Sequence, residues 1–196
     1  MTPLADRLRE ALKNRQPAVW KQRPEILLCP QIPKPMHSVA PRLILGSVWW
    51  NETRQAAYRS TDYHCVACGV HKTCAKGPKW LEGHELYRID YAVGRMVYLE
   101  TVPLCHYCHN YIHAGRLEAL LDADKITDEK YEAILSHGDA VLKAAKERRP
   151  LVYNGFVAVW KRWRLVINGK EYPPVYRDYE AWLKAMRTSR TSNAES

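Results

Sequence analysis

Two Cys-x-x-Cys pairs constrain the fold of this chain more than any other feature. They are Cys65-Val-Ala-Cys68 and Cys105-His-Tyr-Cys108, and 36 residues lie between them. Each pair directs two thiolates at one point, and two pairs complete a tetrahedral site for structural zinc. Four cysteines leave no open coordination position, so such an ion folds the chain and does not catalyse. Disulfide pairing is the weaker alternative, because the N-terminal residues do not resemble a secretory signal.

The composition is that of an ordinary globular protein. Of 196 residues, 46% are hydrophobic and 26% charged, which excludes a disordered chain or a coiled coil. The length corresponds to one or two domains. No apolar run approaches the roughly 18 residues of a membrane span. We therefore expect a cytoplasmic protein with no membrane partner. Cys29 and Cys74 have no partner at metal-binding spacing, and we expect them to be ordinary thiols.

The formal charge of +9 is concentrated near the C-terminus, where residues 143–190 hold twelve Lys/Arg and four Asp/Glu. Aromatic residues alternate with these charges, a combination that can grip a phosphate backbone and stack on bases. Equally, the aromatic residues could form core and the charges a solvated face. The predicted nucleic-acid-binding residues are Arg148, Arg149, Lys161, Arg162 and Arg164. The aromatic residues are Trp160, Trp163, Tyr172, Tyr176, Tyr179 and Trp182.

A second constellation consists of histidines that overlap the cysteine pairs. His109 follows Cys108 directly, and a helix starting at that pair would place His113 on the same face, one turn later. His84, on a preceding strand, could join them as a third ligand. Three protein ligands leave positions open for water and a phosphate oxygen, as metal-assisted hydrolysis requires. Four other histidines are predicted to pack without binding an ion: His64, His71, His106 and His137.

The pattern of apolar, proline and glycine residues predicts the elements around these motifs. Six of the twelve prolines fall within 17–41, which predicts an extended arm because proline removes a backbone donor. Gly94 marks a turn within a strand-forming run at 87–100, and Asn168-Gly169 marks a second hairpin. His137-Gly138-Asp139 predicts the end of one helix and the start of another. The predicted helices are 4–13, 48–59, 110–121, 128–136, 139–149 and 177–187.

The combined motif resembles that of the HNH (His-Me finger) nucleases. The pattern is Cys65-x-x-Cys68-Gly, then Leu-Glu-x-His-Glu-Leu at 81–86, then Leu-Cys-x-x-Cys-His-x-x-x-His at 104–113. The chain is most similar to small HNH proteins of bacteriophages, from about Pro33 to the helices near 147. The resemblance implies an α+β fold with a zinc-pinned, treble-clef-like ββα-metal core and helical extensions at both ends. The implied division is 1–60 as helix and proline-rich arm, 61–118 as core, 119–149 as helical extension and 150–196 as basic segment.

The resemblance also implies a site and an activity. His84, His109 and His113 match the ligands of one divalent ion (Mg²⁺, Mn²⁺, Ni²⁺ or Zn²⁺), and Glu85 stands where the family usually has a histidine general base. In the other register His84 is the base, but Gly83 then occupies a ligand position and supplies nothing. The catalytic residues are thus predicted as His84, Glu85 and His109.

The implied activity is hydrolysis of phosphodiester bonds in DNA, with nicking and action on RNA left open. The alternative is a non-catalytic zinc module, derived from such a nuclease, that binds nucleic acid or a phage or host protein. If the chain is encoded by a phage, both functions would operate in the cytoplasm of its bacterial host.

Overall fold

The computed structural model describes residues 20–148 and 155–192. The predicted helix at 4–13 and Arg149 lie outside these ranges. The described chain is of mixed α+β class, with a four-stranded sheet at its centre. The strands are β1 Leu81–Asp90, β2 Arg95–Cys105, β3 Arg164–Ile167 and β4 Lys170–Tyr172. The helices are α1 Pro41–Ile44, α2 Gly46–Ser60, α3 His106–Ile112, α4 Ala114–Asp122, α5 Asp128–Ala145 and α6 Tyr179–Ser192.

The centre of the fold is an antiparallel hairpin of β1 and β2, followed at once by helix α3. The turn contains Gly94 at φ +79°, which confirms the predicted turn position. This glycine also permits close packing, because a Cβ there would lie 2.8 Å from that of Ala158. Helix α3 begins one residue after Cys105 and ends one residue before His113. A β-hairpin followed by a helix is therefore present, with His84 on β1 and His109 on α3.

Helix α5 corrects the prediction of a break at His137-Gly138-Asp139, since it runs without interruption from Asp128 to Ala145. Gly138 is present for packing and does not end the helix. A Cβ at this position would lie 2.1 Å from Cδ2 of Tyr111 on α3. The missing side chain therefore lets α3 and α5 approach each other closely. The chain leaves α5 at Lys146, which has the left-handed φ of +59°.

The C-terminal segment joins the same sheet as the central hairpin. Strand β3 pairs in parallel with β2, with Arg164 opposite Arg95, and β4 pairs antiparallel with β3. Asn168 and Gly169 have φ of +50° and +80°, which confirms the second predicted hairpin. Trp163 is completely buried in a cluster with Met96 and Leu165. For Trp163, the core interpretation of the C-terminal aromatic residues is therefore correct.

The proline-rich arm is less extended than predicted. It contains two 3₁₀ turns, Pro24–Leu28 and Lys34–Met36, each with a proline in its first turn. Ile26 belongs to the hydrophobic core around the cysteines, whereas Met36 belongs to the second core with Trp163. The arm thus links both cores along one side of the hairpin. Across the described ranges, no helix combines the length and apolar character needed to cross a membrane.

Candidate metal centres

The two Cys-x-x-Cys pairs converge on one point. The sulfur atoms of Cys65, Cys68, Cys105 and Cys108 all lie within 4.8 Å of one another, and three of these residues are buried. The first pair is held in a tight turn in which Gly69, at φ +76°, donates its N–H to the Cys65 carbonyl at 2.8 Å. The second pair spans the junction of β2 and α3. Four thiol donors in a buried cluster could hold a metal ion and fit a tetrahedral structural site.

The surroundings of this cluster suit deprotonated sulfur. Hydrogen bonding between Cys105 and Cys108 lowers the pKa of the Cys105 thiol and raises that of Cys108. Nε2 of His137, on α5, lies 3.3 Å from Sγ of Cys108. An N–H at that nitrogen would stabilise negative charge on the sulfur. Helix α5 thus contributes a polar contact to the metal site as well as apolar packing.

Three histidines form a second cluster, although the helix predicted at 110–121 is divided at His113 into α3 and α4. His84 lies on β1, His109 on α3, and His113 directly follows α3. Their ligand atoms lie within 4.8 Å of one another, and their ring centroids are 4.7 to 5.4 Å apart. Burial lowers the pKa of His84 to about 3 and that of His113 to about 4. Neutral imidazoles are the form that binds metal, so the cluster could hold an ion at neutral pH.

Glu82 fixes the orientation of His109. Its carboxylate oxygens lie 2.7 Å from Nδ1 of His106 and 2.5 Å from Nδ1 of His109. Burial raises the pKa of Glu82, but these hydrogen bonds outweigh it and hold the pKa at about 2. An ionised Glu82 accepts a hydrogen bond from a protonated Nδ1 of His109, which leaves Nε2 for a metal. Such a carboxylate–histidine pair is typical of metal ligands.

Glu85 occupies a different environment from the histidines. Its side chain is only 6% exposed, and Oε2 accepts hydrogen bonds from the Arg42 guanidinium at 2.8 Å and the Tyr87 hydroxyl at 3.1 Å. The backbone N–H of Arg42 donates to the other carboxylate oxygen at 3.3 Å. Glu85 is therefore fully engaged by α1 and its own strand.

The histidine cluster and Glu85 open into one groove of about 970 Å³. Its walls come from the proline-rich arm, α1, α2, β1, α3 and the start of α4, together with Met96 of β2 and Met186 of α6. Three arginines line it: Arg42, Arg54 and Arg116. Its two acidic residues are already paired, Glu82 with histidines and Glu85 with Arg42. The groove is therefore suited to an anionic ligand.

The predicted nucleic-acid-binding residues lie elsewhere. Lys161 and Arg162 are exposed, and the guanidinium of Arg164 donates to the carbonyl of Lys161 at 2.7 Å. Arg164 pairs with Arg95 at the far end of β2, whereas His84 pairs with Val102. At about 3.4 Å per residue, these positions are roughly 20 Å apart along the strand. Arg148 is exposed beyond the end of α5, and binding by any of these residues remains a prediction.

Of the other histidines, His106 binds Glu82 and His137 contacts Cys108, so both support the metal clusters. His64 and His71 face each other, with ring centroids 4.9 Å apart, away from the groove.

Glu82 and the arginines of the groove are functional candidates that the sequence motifs do not identify. Strand alternation could have found Glu82, because residues 82 and 84 share one face of β1. No local signal identifies Arg42, whose partner Glu85 is 43 residues away.

Cys29 and Cys74 belong to neither cluster. Burial raises the pKa of the Cys29 thiol to about 11, and Cys74 is exposed. Comparison with known proteins gives no relative for these centres: no protein family model, no curated protein and no solved structure matches the chain.

Proposed function

We propose that this protein is a metal-dependent DNA endonuclease of the HNH type. The observation that supports the proposal is the cluster of His84, His109 and His113 in a groove lined by arginines. Three histidine ligands are too few to saturate a divalent ion, so positions remain for water and a phosphate oxygen. The arginines would attract the phosphodiester that such an ion acts on.

The four cysteines would hold a structural zinc that positions the histidines. Cys108 and His109 are consecutive on α3. An ion bound by the cysteines would therefore hold in place the helix that carries His109. Zinc at this cluster would also join the first Cys-x-x-Cys turn to the end of β2. The structural and catalytic centres would therefore share α3.

The residues around the histidine cluster have separable roles in this proposal. A divalent ion held there would act as a Lewis acid on the phosphate and its leaving oxygen. Glu82 orients His109 for binding, and Arg116, beside His113, would hold a phosphate oxygen. Glu85 would take the proton from the attacking water after substrate phosphate competes for Arg42 and frees the carboxylate.

The ion pair of Glu85 with Arg42 also favours the second candidate function, a non-catalytic zinc module that binds nucleic acid or a protein. In that case the carboxylate stays bound to Arg42 at 2.8 Å and has a structural role. Steeply salt-dependent DNA binding without cleavage would support this alternative, because phosphate contacts release counterions.

Metal content and plasmid cleavage together test the proposal. We expect wild-type protein to contain one tightly bound zinc, lost in Cys105→Ser, and to bind one weaker divalent ion, lost in His109→Ala. Divalent-ion-dependent cleavage of supercoiled plasmid should disappear in His84→Ala and fall strongly in Glu85→Gln. His71→Ala, a histidine outside the groove, is the matched control and should retain activity.

If plasmid and single-stranded DNA both stay intact with folded, zinc-loaded protein across Mg²⁺, Mn²⁺, Ni²⁺ and Zn²⁺, the nuclease is refuted. A single bound metal that His109→Ala leaves unchanged would refute the second centre.

A further inference from the structure

The groove beside the histidines also carries an aromatic side chain that the metal chemistry does not use. Trp80 lines the groove, and the residue is 61% exposed. Trp50, on another wall, is half-buried: its ring packs over Gly83 and lies 5.8 Å from the Arg42 guanidinium. Trp80 therefore presents a large indole surface to the groove, whereas Trp50 is already covered.

The position of Trp80 in the chain connects it to the histidine cluster. It directly precedes β1, on which Glu82 and His84 share a face, and all three residues line the groove. Glu82 and His84 on this face contact the cluster of α3. An anionic strand that reaches His84 through the groove can therefore contact the indole of Trp80.

The combination of arginines and an exposed aromatic side chain is typical of grooves that bind single strands. In a duplex, each base is stacked on its neighbours, so an indole can reach a base face only after the base is unpaired or flipped. An unpaired nucleotide already has a free base face, so its stacking on the indole does not require the energy of unpairing a base. The groove chemistry thus favours an unpaired strand over a continuous duplex.

We propose that the substrate of this groove is single-stranded DNA, or an unpaired DNA segment, with one base stacked on Trp80 beside the histidine cluster. The proposal rests on the proposed function for the identity of the polymer. Arg116 and Arg42 hold the backbone, and Trp80 selects unpaired bases without reading their sequence.

Fluorescence anisotropy tests binding apart from cleavage, with zinc-loaded protein and no added divalent ion. The probes are a fluorescein-labelled 20-nucleotide single strand and the duplex of the same sequence. We expect tighter binding of the single strand. Trp80→Ala should weaken single-strand binding by roughly 5- to 150-fold, the range measured for loss of one base–aromatic stack. Trp80→Phe should retain most of the affinity, and duplex binding should change little in either variant.

Two controls make the result specific to the groove. Phe156→Ala removes another exposed aromatic side chain, 65% exposed and outside the groove, and should leave affinity unchanged. Arg116→Gln should reduce the salt slope for the single strand by about 0.7, the contribution of one phosphate contact.

Equal affinity for single strand and duplex, or a Trp80→Ala variant that binds the single strand as wild type does, would overturn the proposal. Single-strand preference without cleavage in any metal would retain it and reject the nuclease. Cleavage of duplex plasmid without Trp80-dependent binding would support the nuclease and reject the single-strand proposal.

Discussion

Gly138 offers a quantitative test of how α3 and α5 pack around the cysteine cluster. A Cβ at this position would lie 2.1, 2.3 and 2.4 Å from three ring atoms of Tyr111, where real Cβ contacts stay above about 3.0 Å. The ring cannot move aside easily, because it is buried and its hydroxyl donates to Oδ1 of Asp139 at 2.6 Å. Gly138→Ala must therefore displace the ring or separate the helices.

Two opposing terms set the size of the effect. Alanine is better than glycine within a helix by about 1 kcal/mol. Overpacking a well-filled core costs about 1–3 kcal/mol, and this severe overlap belongs at the upper end. We expect Gly138→Ala to lower the free energy of unfolding by about 2 kcal/mol, which corresponds to a Tm lower by about 4–8 °C for a chain of this size.

Urea and thermal unfolding at a fixed excess of zinc measure this change, because bound metal contributes to the apparent stability. Gly115→Ala on α4 is the matched control. No atom lies within 4 Å of a Cβ there, so the substitution should be neutral or stabilising by up to about 1 kcal/mol.

In a Tyr111→Ala background, Gly138→Ala should change sign and become stabilising, since the ring it meets is gone. A Gly138→Ala protein as stable as wild type, or the same loss in both backgrounds, would refute the packing argument.

Three further outcomes follow from the two centres and the second core. Glu82→Gln should weaken divalent-ion binding at the histidine cluster by about 10- to 100-fold, because the substitution removes the charged partner of His109. Calorimetry measures this affinity, and the zinc content should stay at one ion per chain. Unchanged affinity would contradict the role of Glu82. Protein that holds only its zinc should become less stable to urea as pH falls from 6.5 towards 4. Burial lowers the pKa of His84 to about 3 and that of His113 to about 4 in the folded protein. The unfolded chain takes up protons at these histidines near pH 6.5, so acid favours the unfolded state. His84→Asn should show a shallower pH dependence, and an equal slope would contradict the assignment. Trp163→Ala should cost about 3–5 kcal/mol, as for other buried tryptophans, and a loss below 1 kcal/mol would show that β3 is not part of the core.

The features predicted correctly from the sequence are those whose physical cause is local. Gly94 and Asn168-Gly169 mark turns because their positive φ disfavours most other residues. The histidine cluster was also predictable, since helix and strand periodicity place residues 84, 109 and 113 once the hairpin is known.

The features that escaped prediction depend on partners far along the chain. Gly138 looks like a helix stop in isolation, and only the ring of Tyr111 on α3 explains why the helix continues. The engagement of Glu85 depends on Arg42, which reaches it from α1 across 43 residues. In both cases a tertiary contact, and not the neighbouring sequence, decides the role of the residue.

The location of positive charge leads to a final distinction between net charge and useful charge. Most of the excess charge lies in residues 143–190, yet Arg164 there is separated from the histidines by roughly 20 Å along β2. At physiological salt the Debye length is about 8 Å, so exposed charges at that distance act weakly on a phosphate at the cluster. Arg42 and Arg116 line the groove itself and their charges help to lower the pKa of His113. A ligand bound at the histidines should therefore respond far more to Arg116→Gln than to Arg164→Gln, although both remove one positive charge. The C-terminal segment then contributes to this site through Met186, an uncharged residue that lines the groove, and through Trp163 in the core that supports the hairpin.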